Sequence, residues 1–77
     1  MPHRVLQNRL PAIDISYRPP KAVVLDAGTT FVVEIGKFEW FGREGLYSEI
    51  SLPKAPGARF RVRYQDLFGS SEVGSAR

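Results

Sequence analysis

The chain has 77 residues, a formal charge of +3, a calculated isoelectric point of 9.7 and no cysteine. A length of this order holds one domain that buries only about 60% of its unfolded surface, and without thiols neither a disulfide framework nor a thiolate metal site is available to brace it. The charge supports a weak pull toward anions rather than the footprint of a dedicated nucleic-acid binder, and no apolar run approaches the roughly 20 residues of a membrane span.

Met1 to Pro11 carries Val5, Leu6 and Leu10 among polar residues and reads as an arm or a short strand. It lacks the apolar segment of a secretory signal, so a soluble, cytoplasmic chain with no membrane attachment is expected. Residues 12–68 read as a single β domain. Ala12 to Tyr17 alternates, with Ile13, Ile15 and Tyr17 on one face and Asp14 and Ser16 on the other, and Pro19-Pro20 ends it. Lys21 to Asp26 is rich in β-branched residues, and Asp26-Ala27-Gly28 supplies turn formers, which predicts a hairpin into the next strand. That strand, Thr30 to Phe41, places Phe31, Val33 and Ile35 at odd positions and Phe38 and Trp40 at even ones. One extra residue at Gly36-Lys37, a β-bulge, would keep all five inward.

Gly42 to Gly45 is a glycine-bracketed turn, and Leu46 to Leu52 alternates again, with Leu46, Ser48, Ile50 and Leu52 sharing a face. The single bulge then pairs Trp40 with Leu46, Phe38 with Ser48, Ile35 with Ile50 and Val33 with Leu52. Pro53 to Ala58 reads as a loop, and Arg59 to Tyr64 as a last strand with Phe60, Val62 and Tyr64 inward. Gln65 to Gly69 reads as a short turn anchored by Leu67 and Phe68, and residues 69–77 as a polar tail.

These five strands predict an all-β fold, a bent meander closing into a small barrel with no substantial helix. The turn ending in Gly28, the Phe31 and Val33 that follow it, the bent long strand, the tight hairpin and a closing Asp66-Leu67 resemble SH3-like barrels in outline, over roughly Lys21 to Phe68. The resemblance includes no family-specific motif and implies an architecture without a function, since such barrels host DNA binders, peptide binders and a few enzymes. An OB-like barrel is the alternative, for which the chain is short and lacks the helix usually packed at the base.

Catalytic chemistry finds little to work with. His3 is the only histidine and reads as a solvated residue of the arm, so no zinc site, no Ser/His/Asp triad, no cofactor and no catalytic residue is expected. Glu39 or Glu49 could serve as an acid or base only if desolvated, and basic neighbours would keep both ionised. One stretch points to a partner: Arg59, Arg61 and Arg63 alternate with Phe60, Val62 and Tyr64 and project from one strand face, where guanidinium groups could meet phosphates while Tyr47 or Phe41 stacked on bases. The competing assignment sets Arg63 opposite Glu49, with Lys37 on its other side, as an ordinary cross-strand ladder, and places Arg61 beside Ser51. The leading functional expectation is a binding or interaction module acting as a homo-oligomer through Phe41, Tyr47, Phe68 and open sheet edges. The alternative is a nucleic-acid-binding barrel using Arg59, Arg61, Arg63 and Tyr47; a small oligomeric enzyme with its site at a subunit interface comes third.

Overall fold

The computed structural model of the chain describes residues 3 to 72. Among the described residues six strands form: β1 (Arg4–Val5), β2 (Leu10–Asp14), β3 (Lys21–Leu25), β4 (Thr30–Glu39), β5 (Leu46–Leu52) and β6 (Ala55–Arg63), and a helix, α1 (Tyr64–Glu72), follows. All pair antiparallel in one sheet of order β1-β4-β5-β6-β2-β3. The mostly β character agrees with the periodicity, but there are six strands rather than five and the sheet stays open at β1 and β3. The closed SH3-like or OB-like barrel expected from the strand spacing therefore does not form.

The sheet is nevertheless curved, and the connections show why. Four residues, 6–9, link β1 to β2, and another four, 26–29, link β3 to β4. In a flat sheet each link would cross four strand spacings, roughly 19 Å, which exceeds the roughly 17 Å that such a link can reach when fully extended. Curling brings the ends together: Leu6 donates its amide to the Thr29 carbonyl at 2.9 Å and accepts the Gly28 amide at 2.9 Å. Asp26-Ala27-Gly28 thus makes a turn as predicted, with Gly28 at φ +88°, but it carries the chain across the concave side instead of closing a hairpin, because β3 pairs with β2 and not with β4.

The concave side holds the core, built from Leu6, Leu10, Ala12, Leu25, Phe31, Ile50, Phe60, Val62 and Leu67, with Val23, Val33, Leu52, Ala58 and Phe68 packed around it. Each of the larger residues contributes about 1.5–3 kcal/mol by leaving water. On β2 the inward residues are Leu10, Ala12 and Asp14, the reverse of the face predicted from Ile13 and Ile15. Asp14 tolerates burial because its carboxylate accepts the Ser16 amide at 2.9 Å and the Ser16 hydroxyl, closing the turn that follows. That turn includes a cis peptide at Arg18-Pro19.

Strand β4 departs furthest from the predicted register. Its ladder with β5 slips twice, between Val33 and Ile35 and again between Ile35 and Phe38, giving Val33↔Ile50, Ile35↔Glu49 and Phe38↔Tyr47. The second slip spans Gly36-Lys37, where a bulge was predicted; the first was not. One bulge would have kept all the apolar residues on one face, whereas two leave Phe31 and Val33 inward and move Ile35 and Phe38 to the convex side. At the second bulge the Gly36 carbonyl accepts the hydroxyl of fully buried Ser48 at 2.6 Å.

The predicted terminal turn at Gln65 to Gly69 is the middle of α1, and Tyr64 begins the helix instead of ending β6. Asp66 lies in its first turn, where a carboxylate complements the helix dipole, and Leu67 is fully buried against the sheet. Of the predicted polar tail, residues 73–77 lie outside the described residues.

Candidate functional site on the outer sheet face

The convex face would ordinarily be a solvated surface; here it carries a second cluster. Alternation along β5 and β6 turns Tyr47, Glu49, Arg59, Arg61 and Arg63 away from the core, and the ladder sets Arg61 opposite both Glu49 and Ile13, and Arg63 opposite Tyr47. The two bulges of β4 deliver Phe38 beside Tyr47 on the same face. Trp40 follows, its ring edge-on to that of Tyr47 at 5.2 Å and 89°. Three guanidinium groups lie on these rings: Arg61 is 4.7 Å from the Trp40 centroid and 4.9 Å from that of Phe38, Arg43 is 4.8 Å from Trp40, and Arg63 is 5.8 Å from Tyr47. Each such contact contributes about 0.5–2 kcal/mol, more as water is excluded.

Glu49 divides the cations into two sets. Its carboxylate, 7% exposed, accepts Arg59 Nη1 at 2.9 Å and Arg61 Nε at 3.1 Å. The predicted partner was Arg63, two residues further on. The shift arises in the β5–β6 hairpin, which turns tightly at Pro53-Lys54 so that Leu52 faces Ala55, and then inserts three residues, 56–58, before Ser51 meets Arg59. Lys37 also leaves the predicted ladder and lies 5.2 Å from the Tyr64 ring. Arg43 and Arg63 make no ion pair among the described residues.

Beside these cations runs a groove of about 450 Å³. Pro11, Ile13, Ala22 and Val24 of β2 and β3 line one flank, Tyr47, Arg61 and Arg63 of β5 and β6 line the other, and Ala12, Val23, Val62, Arg43 and Asp66 complete it. Its volume falls within the range of natural ligand sites, roughly 300–1,000 Å³.

The residues singled out from the sequence are thus distributed differently from expectation. Arg61, Arg63 and Tyr47 do come together, but Tyr47 is 4% exposed, with Trp40 against its ring and Arg63 over it, so it offers no open ring for a base. Arg59 has a half-exposed side chain bound to Glu49, outside the groove. Phe68 packs against the core and lies 4.8 Å from the Tyr64 ring. Phe41 alone of the proposed oligomer contacts presents its ring to solvent, at 99% exposure. It occupies the tip of a turn in which the Arg43 amide bonds the Trp40 carbonyl at 2.9 Å and Gly42 takes φ +87°, the geometry of a type II turn. Sequence reasoning missed Arg43, Ile13 and Val24 as site residues. Arg43 sat in a turn with no pattern to mark it, and the other two were assigned by alternation to strands whose outer face had no expected use.

Among the described residues no group of three His, Cys, Asp or Glu gathers to hold a metal, and no helix is long and apolar enough to cross a membrane. No protein-family model matches the chain, and no curated protein or solved structure matches it significantly.

Proposed function

We propose that the chain is a binding module that grips an acidic segment of a partner protein in the groove between β2–β3 and β5–β6. The observation that carries this reading is the pairing pattern of the arginines: Glu49 neutralises Arg59 and holds Arg61, while Arg43 and Arg63 border the groove on aromatic supports with no carboxylate of their own. A guanidinium that rests against a ring has given up part of its rotamer freedom before a ligand arrives, so less entropy is lost when its donor fork meets a carboxylate. The apolar flank of Pro11, Ile13, Ala22 and Val24 suits a segment in which an aliphatic residue adjoins the acid, and Asp66 at the rim selects against a second acid placed beside it.

The test is a titration with a glutamate- and leucine-containing peptide, followed through Trp40, the chain's single tryptophan. Affinity should fall with added salt. Arg43→Gln and Arg63→Gln should each weaken it about tenfold, equivalent to about 1.4 kcal/mol, as expected for one charged hydrogen bond. Arg59→Gln should leave it unchanged. A second reading, contact with nucleic acid, draws on the same two guanidinium groups and the isoelectric point of 9.7; buried Tyr47 and Arg43-covered Trp40 weigh against it, because single-strand binders stack bases on open rings. Tighter binding of a single-stranded oligonucleotide than of the peptide at equal salt would replace the first reading with the second.

A further inference from the structure

We propose that the acid taken by the groove is a phosphoryl group, borne by a phosphorylated side chain next to an aliphatic residue of the partner. The inference rests on the groove reading above and names the group that fits it best. Three side chains bordering the groove have donors to spare. Arg43 and Arg63 make no ion pair among the described residues, and the Arg63 guanidinium lies 5.8 Å from the centroid of the Tyr47 ring. The third donor is the Tyr47 hydroxyl. Tyr47 is 4% exposed, yet its hydroxyl bonds nothing among the described residues. There, no wholly buried side-chain polar atom lacks a partner, so this hydroxyl reaches solvent, and Tyr47 lines the groove. A largely buried tyrosine ordinarily pairs its hydroxyl, and here the acceptor has to come from a ligand.

Charge separates a phosphate from a carboxylate. Arg43, Arg61 and Arg63 line the groove together with one carboxylate, that of Asp66, and the Glu49 carboxylate that bonds Arg61 is balanced by Arg59. Glu39 and Glu44 do not line the groove. The site therefore has two positive charges in excess. A glutamate side chain cancels one of them and offers two acceptor oxygens. A phosphomonoester has a charge of about −1.5 to −2 at neutral pH and three acceptor oxygens, one for each donor side chain that lacks a partner, and guanidinium forks match such oxygens in pairs. The apolar flank of Pro11, Ile13, Ala22 and Val24 takes the aliphatic neighbour, which ties the phosphate to a peptide rather than to a free ion.

Calorimetric titration of the full chain with three peptides, identical but for serine, glutamate or phosphoserine beside a leucine, tests this. The phosphoserine peptide should bind about tenfold more tightly than the glutamate peptide, and the serine peptide most weakly. Arg63→Gln, which costs the glutamate peptide about tenfold, should cost the phosphoserine peptide about a hundredfold and so erase the preference. Tyr47→Phe should keep the wild-type thermal midpoint, because the hydroxyl bonds nothing within the described residues, and should weaken the phosphoserine peptide about fivefold. Inorganic phosphate alone should bind far more weakly than the phosphoserine peptide. Arg63-dependent binding of the glutamate peptide with no gain from phosphoserine, full phosphoserine affinity in Tyr47→Phe, or inorganic phosphate binding as tightly as the peptide would each overturn this inference and leave the groove reading standing. Absence of Arg63-dependent binding by any of the peptides would overturn both.

Discussion

Replacing Glu49 with glutamine removes the charge that organises the convex face while keeping the side chain's shape. Breaking a fully buried pair on one side costs about 3–5 kcal/mol, and breaking an exposed one about 0–1. The side chain of Glu49 is 9% exposed, whereas those of Arg61 and Arg59 are 24% and 48% exposed, so the carboxylate is buried but its partners can recover hydration. The expected cost lies between those limits, about 2 kcal/mol, with one amide oxygen still accepting from Arg61. With an unfolding slope near 1 kcal/mol/M for so small a chain, the urea midpoint should fall by about 2 M. Trp40 fluorescence reports the transition, because its ring lies 4.7 Å from the Arg61 guanidinium. The same change in an Arg61→Gln background should cost clearly less, with a coupling of about 0.5–3 kcal/mol. A Glu49→Gln midpoint within about 0.3 M of wild type would refute the idea that this carboxylate holds the outer cluster together.

Three further outcomes follow from the packing. Ser48→Ala should cost about 0.5–1.5 kcal/mol by denaturation, because it removes the hydroxyl that bonds the Gly36 carbonyl at the second bulge. Phe31→Ala, at a fully buried site, should cost about 3–5 kcal/mol and approach the whole stability of the domain; Phe38→Ala, on the half-covered convex face, should cost about half as much or less, measured in the same urea series. Gly45→Ala should cost about 1 kcal/mol, since Gly45 sits at φ +83° where a side chain is strained. The added carbon would also stand 3.3 Å from Arg63 Nη2, so the variant should weaken peptide binding as well as stability.

The all-β character was readable because each strand except β1 carries a local period-two pattern or a β-branched run, and the turns at Gly28 and Gly42 to Gly45 carry their own signals. Which strands would pair was not. Asp26-Ala27-Gly28 favours a turn whether the chain then folds back on β3 or crosses to the far side of the sheet, and only the four-residue links closing a curved sheet decide between them. Face assignment failed for a related reason. Alternation marks two faces without naming the buried one, and here both are partly buried: Phe38, Trp40 and Tyr47 are large enough for a core yet lie under arginines on the convex side. The extra slip at Glu34 has no glycine to mark it, although a hydrogen bond from Ser51 Oγ to Glu34 Oε2 at 2.6 Å spans it. Helix α1 escaped notice because nine residues that include Gly69, Ser70 and Ser71 have weak intrinsic helix preference; the burial of Leu67 stabilises it instead. The arginine row was visible as a row, but its division into paired and unpaired members depends on a two-residue register shift created in the 56–58 insertion.

Amide chemical-shift mapping with the same acidic peptide tests the central claim most directly. The groove reading predicts the largest, saturable shifts at Ile13, Ala22, Val24, Arg43, Arg61 and Arg63, all moved together to about tenfold higher peptide concentration in Arg63→Gln while the rest of the spectrum keeps its dispersion. Shifts scattered over the surface, concentrated on α1, or unchanged by Arg63→Gln would contradict it.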